Sequence, residues 1–97
     1  MGLEIVIPRA TACPLSVLLE KLAAAGLPTT LAMVDNVLQG PGAIPPALWR
    51  DVRLRTAAGL VTLRRTAAGV AVVVFRNAGA ELQAAQRAVA EAVRDIP

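Results

Sequence analysis

The sequence predicts an α+β two-layer sandwich: a mostly antiparallel sheet of about five strands with two helices packed on one face, in the order β-α-β-β-β-β-α. Three observations carry this expectation. Arg55-Thr56-Ala57-Ala58-Gly59 recurs letter for letter as Arg65-Thr66-Ala67-Ala68-Gly69, and each copy leads into a run rich in β-branched residues. Two identical turn signals bracketing one strand read as an antiparallel meander over residues 52 to 76. Leu15, Leu18, Leu19 and Leu22 fall at i, i+3, i+4 and i+7, the spacing of one helix face. A second such stripe, Leu82, Ala85, Val89, Val93 and Ile96, runs through an alanine-rich stretch at the C-terminal end.

Taken in order, Leu3 to Ile7 is an apolar run stopped by Pro8, an opening strand expected to lie inside the sheet. Thr11 and Pro14 open the first helix, because proline costs nothing in a first turn where the N–H has no partner. Gly26 and Leu27-Pro28 end it. Thr29 to Val34 is the next strand, closed by the turn pair Asp35-Asn36, with Val37 and Leu38 extending or resuming it. Gln39 to Pro46 holds Gly40, Pro41, Gly42, Pro45 and Pro46 and is a loop, followed by a short helical turn at Ala47 to Trp49. After the meander, Asn77 and Gly79 precede a helix from about Ala80 to Ile96. Glu81 in its first turn and Arg94 in its last complement the macrodipole, while Gln83, Gln86, Arg87 and Arg94 lie mostly off the apolar stripe.

The repeated turn resembles a type I turn with glycine in the left-handed position, a three-residue hairpin loop. In the second copy that loop pairs Thr66 with Val70. Val61, Leu63, Ala71, Val73 and Phe75 then share the core face, and Thr62, Arg64, Val72, Val74 and Arg76 the outer one. In the first copy the same loop would turn Val52 and Leu54 away from the core. A loop of two or four residues is expected there instead, because burial at roughly 25 cal/mol per Å² outweighs a turn preference. Arg53, Arg55, Arg64, Val72, Val74 and Arg76 are therefore the expected interaction surface, on a sheet face that two helices cannot cover.

Composition narrows the function classes. A chain of 97 residues, 56% hydrophobic, suits a single α+β domain over 1–97, and no apolar run approaches the ~20 residues of a membrane-spanning helix. No membrane partner is expected, and with no basic leader before the short apolar run Ile5 to Ile7 the default location is the cytoplasm. One cysteine and no histidine leave neither an intrachain disulfide nor a conventional zinc site, so no metal and no cofactor is expected. Acyl-transfer chemistry lacks a nucleophile and base in reach: Ser16 and Lys21 fall on different sides of a helix. The glycines match neither the dinucleotide nor the P-loop fingerprint.

Three readings of function remain. The leading one is a small non-enzymatic interaction or assembly module that forms a homodimer through its outer sheet face, with another protein as the partner in its wider form. The second is an anion or single-stranded nucleic-acid binder using the same arginines; the net charge of +3 permits it, but a core Phe75 would leave no ring for base stacking. The third is a small-molecule site or enzyme of unknown reaction at Asp35, Trp49 and Cys13, weighed against Asp35 as a turn former, Trp49 as a core lid and Cys13 as a buried thiol.

Overall fold

The computed structural model describes residues 2–9, 13–40 and 46–96. Thr11 and loop positions 41–45 lie outside them. The fold is α+β, and the described residues form six strands and two helices: β1 Gly2–Ile7, α1 Leu15–Ala24, β2 Thr30–Val34, β3 Val37–Leu38, β4 Asp51–Thr56, β5 Gly59–Thr66, β6 Gly69–Phe75 and α2 Ala80–Asp95. The strands form one antiparallel sheet in the order β1-β6-β5-β4-β2-β3. The sixth strand arises because Asp35 and Asn36 take φ of +49° and +67°, the geometry of a tight type I′ hairpin, so Val37 turns back to pair with Val34. Ala47 and Leu48 form bends rather than a helical turn.

The opening strand was expected inside the sheet and lies at its edge, because β1 pairs only with β6. Its apolar character comes from Ile5 and Ile7, which pack on the helix side.

Helix α1 starts after Pro14, whose carbonyl accepts the Leu18 N–H at 3.1 Å, and it buries Leu15, Leu18 and Leu22. It stops where Gly26 adopts φ +86°. The Leu27 N–H then reaches the Leu22 carbonyl at 2.8 Å and the Gly26 N–H the Ala23 carbonyl at 3.1 Å, a Schellman closure that needs a left-handed residue. Helix α2 buries Ala85, Val89, Ala90, Ala92 and Val93 against β1, β6 and β5. Gln86, read from the sequence as lying off the stripe, is buried with them. Its Nε2 donates to the carbonyls of Leu3 and Val72 at 2.9 Å each, which removes the cost of burying an amide. Arg9 closes the other end of α2, its Nη1 donating to the carbonyls of Val93 at 3.1 Å and Ile96 at 2.9 Å.

Both copies of the repeated turn take the same register. Thr56 pairs with Gly59 and Thr66 with Gly69; each threonine hydroxyl accepts the N–H of the second alanine and donates to the glycine carbonyl. The first hairpin joins Val52 and Leu54 to Val61 and Leu63 as burial requires. The second corrects the sequence reading by one residue: Arg65, not Thr66, pairs with Val70. Every side chain of β6 therefore changes sides. Val70, Val72 and Val74 enter the core, while Ala71, Val73 and Phe75 turn to the opposite face, Ala71 buried there and Phe75 exposed, so Val72 and Val74 are removed from the expected interaction surface and Phe75 from the expected core.

Gly59 and Gly69 occupy equivalent positions at φ +136° and +141°, yet their surroundings differ. A Cβ at 59 would meet the Leu82 side chain at an ordinary 3.5 Å, whereas one at 69 would run into the backbone of Ile7, Pro8 and Arg9. Gly59→Ala should destabilise by about 1–3 kcal/mol, the cost of a side chain held in such a backbone conformation. Gly69→Ala should lose clearly more, as read from urea denaturation of the two variants side by side.

Candidate functional site

Both helices pack on one face of the sheet, the face of Val52, Leu54, Val61, Leu63, Val70, Val72 and Val74. Strand alternation sends the intervening residues to the opposite face. The pairings place them in rows across the strands. Glu4, Val73, Thr62, Arg53, Met33 and Leu38 form the central row. On one side of it Val6, Ala71, Arg64 and Asp51 form another. On the other side Gly2 adjoins Phe75, and Arg55 adjoins Leu60 on one flank and Thr30 on the other.

This face combines apolar area with separated charges. Phe75 is 67% exposed, Val6 40% and Leu38 77%, and none of these three belongs to the core cluster. A groove of about 410 Å³ runs over β5 and β6, bordered by Arg53, Leu60, Thr62, Arg64, Val73 and Phe75. Arg64 is tied to Asp51 at 3.4 Å across β4 and β5, an exposed pair of small energetic weight. Among the described residues, Glu4, Arg53 and Arg55 make no ion pair.

Of the residues expected at the interaction surface, Arg53, Arg55 and Arg64 project together on the face opposite the helices, which no element among the described residues covers. Arg76 lies in the turn beyond β6, exposed but outside the sheet ladder. Val72 and Val74 are core residues. The sequence reading missed Phe75, Val73 and Val6. A signal for them was present, since an identical pentapeptide in both hairpins implies one register for both, and applying the first hairpin's register to the second turns Phe75 outward.

The second set of residues does not assemble into a pocket among the described residues. Trp49 is almost fully buried, and its Nε1 donates to the Cys13 carbonyl at 2.9 Å, pinning the chain ahead of β4 to the chain ahead of α1. Trp49 thus closes the core. The Cys13 thiol is buried, which raises its pKa above the ordinary 9.0 against the opposing pull of Arg9, so little thiolate exists at neutral pH. Asp35 is a turn residue on the exterior. Its Oδ1 accepts the backbone N–H groups of Asp51 and Arg50, both at 2.9 Å, and these bonds hold its carboxyl below the ordinary 3.8. A carboxylate so engaged is a poor general base.

Comparison with family models, curated proteins and solved structures yields no match to this chain.

Two outcomes test these placements. Because the carboxyl of Asp35 is more acidic folded than unfolded, its contribution is complete above the ordinary value of 3.8 and disappears as pH falls through the lower folded value. Asp35→Asn should melt below the wild type at neutral pH and lose less as the solution is acidified, a comparison made by circular dichroism melts across an acid series. Cys13 should react with iodoacetamide far more slowly in the native protein than after denaturation, with mass spectrometry as the readout.

Proposed function

We propose that this protein is a small non-enzymatic interaction module that associates with a second copy of itself through the uncovered face of its sheet. One observation carries the reading: the face opposite both helices presents Phe75, Val73 and Val6 beside Arg53 and Arg55, an apolar centre with charged neighbours. An exposed aromatic ring within a cluster of aliphatic side chains is an unfavourable surface to leave in water and a common anchor of protein interfaces. Arginine suits the margin of such a patch, because its stem covers apolar area while its guanidinium stays hydrated. The engaged state of Asp35 and the burial of Cys13 and Trp49 favour this over the small-molecule or enzymatic alternative.

A second reading is supported by the outward position of Phe75. A ring next to arginines on an open sheet is the arrangement that stacks and neutralises a single nucleic-acid strand. Against it, Glu4 and Asp51 occupy the same face and would repel phosphates, and Phe75 is the only ring there. Proteins of that kind lose affinity steeply with salt.

Light scattering during size-exclusion chromatography, at tens to hundreds of micromolar, should show a dimer for the wild type. Phe75→Ser should shift it toward monomer with its melting temperature little changed, because Phe75 contributes almost nothing to the core. A strict monomer across that range, together with salt-sensitive binding of a random single strand in fluorescence polarisation, would replace the first reading with the second.

A further inference from the structure

Resting on the self-association reading above, we infer the arrangement of the two copies: their sheets pack face to face about a two-fold axis that runs along the strands, between β5 and β6, so that Glu4 of each copy meets Arg53 of the other. The inference comes from the symmetry of the central row. Glu4, Val73, Thr62 and Arg53 occupy one position on each of the consecutive strands β1, β6, β5 and β4. A two-fold axis midway along that row exchanges β1 with β4 and β6 with β5. Glu4 then lies over the partner's Arg53, and Val73 over the partner's Thr62.

The neighbouring rows fit the same operation. It sets Phe75 over the partner's Leu60, apolar on apolar. It also sets Gly2 over the partner's Arg55, the buried Ala71 over the partner's Arg64, and Val6 over the partner's Asp51, so both arginines meet small residues and the valine meets a carboxylate already paired with Arg64. Other axes fit worse. An in-plane axis perpendicular to the strands and set on the same central row lays Glu4 on Glu4 and Arg53 on Arg53, which repel. Moving the parallel axis onto β6 leaves Glu4 facing threonine, and moving it onto β5 leaves Glu4 facing Met33. Of these positions only the central one sets Glu4 against an arginine, Arg53, and neither of the two makes an ion pair among the described residues.

Distance permits the pair. Glu4 and Arg53 each stand one and a half strand spacings from the axis, about 7 Å at ~4.8 Å per strand. Sheets packed in this way rotate by about 30°, which displaces the two positions by roughly 4 Å, within the reach of an arginine side chain. The four strands involved cover on the order of 400 Å² of projected face per copy, below a standard interface, so a weak association is expected.

The test is charge exchange, read by sedimentation velocity over a concentration series at low salt. Glu4→Arg and Arg53→Glu should each weaken dimerisation by about tenfold or more, because symmetry places the repulsion in the interface twice. The double variant should regain most of the loss. An equimolar mixture of the two single variants should form a heterodimer tighter than either homodimer. Both positions are exposed, so folding is checked by confirming unchanged melting curves. If Phe75→Ser abolishes the dimer while the double variant and the mixture show no recovery, the arrangement is wrong and the self-association reading stands. If Glu4→Gln tightens the dimer, the acid faces its own copy and the perpendicular axis holds instead. A wild type that stays monomeric at hundreds of micromolar overturns both.

Discussion

A strand shifted by one residue presents its other face, and in this protein the pairing of Thr66 with Gly69 sets that parity for β6. It sends Val70, Val72 and Val74 beneath the helices and turns Ala71, Val73 and Phe75 to the opposite face, where Ala71 is buried, Val73 half-buried and Phe75 exposed. The constraint is enforced from two directions. Gly69 fits because it lacks a Cβ where the chain passes Ile7, Pro8 and Arg9, and the valines it directs inward fill the space under α2. The edge strand β1 follows, since its register against β6 matches Ile5 with Val72 and Ile7 with Val70 on the buried side.

Polar groups at long sequence separation hold the layers in place. Gln86 reaches from α2 to carbonyls on both β1 and β6, Arg9 from the end of β1 to the last turn of α2, and Trp49 from the chain ahead of β4 to Cys13. Each bond joins a layer to a segment that hydrophobic contact alone would locate but not orient. Apolar burial supplies the main driving force and is indifferent to direction; these bonds are directional and select one arrangement.

The functional consequence is an asymmetry between faces. The helix-covered side is filled with aliphatic side chains and one tryptophan, whereas the other side carries apolar residues that no part of the described chain covers. The charges on that side are of both signs and concentrate on β4, with Asp51, Arg53 and Arg55, beside Arg64 on β5 and Glu4 on β1. Asp35, in the β2–β3 turn, engages one carboxylate oxygen with two backbone donors at the start of β4 and acts in the architecture.

The sequence by itself determined the elements whose signals are local. The leucine spacing in α1, Gly26 as its stop, the repeated pentapeptide and the alanine-rich stripe of α2 each act through bonds a few residues long, and each element formed where its residues placed it. The grouping of Arg53, Arg55 and Arg64 was legible for the same reason, since alternation along β4 and β5 is unambiguous. Only the tertiary structure decided the edge position of β1 and the burial of Gln86, and nothing within β6 itself marked its orientation, which the repeat implied solely through the register of the first hairpin. In Val70-Ala71-Val72-Val73-Val74-Phe75 both faces are apolar, so no alternation marks an inside. The choice passes to the backbone approach at Gly69 and to the volume under α2, which exist only once β1 and the helix have come together.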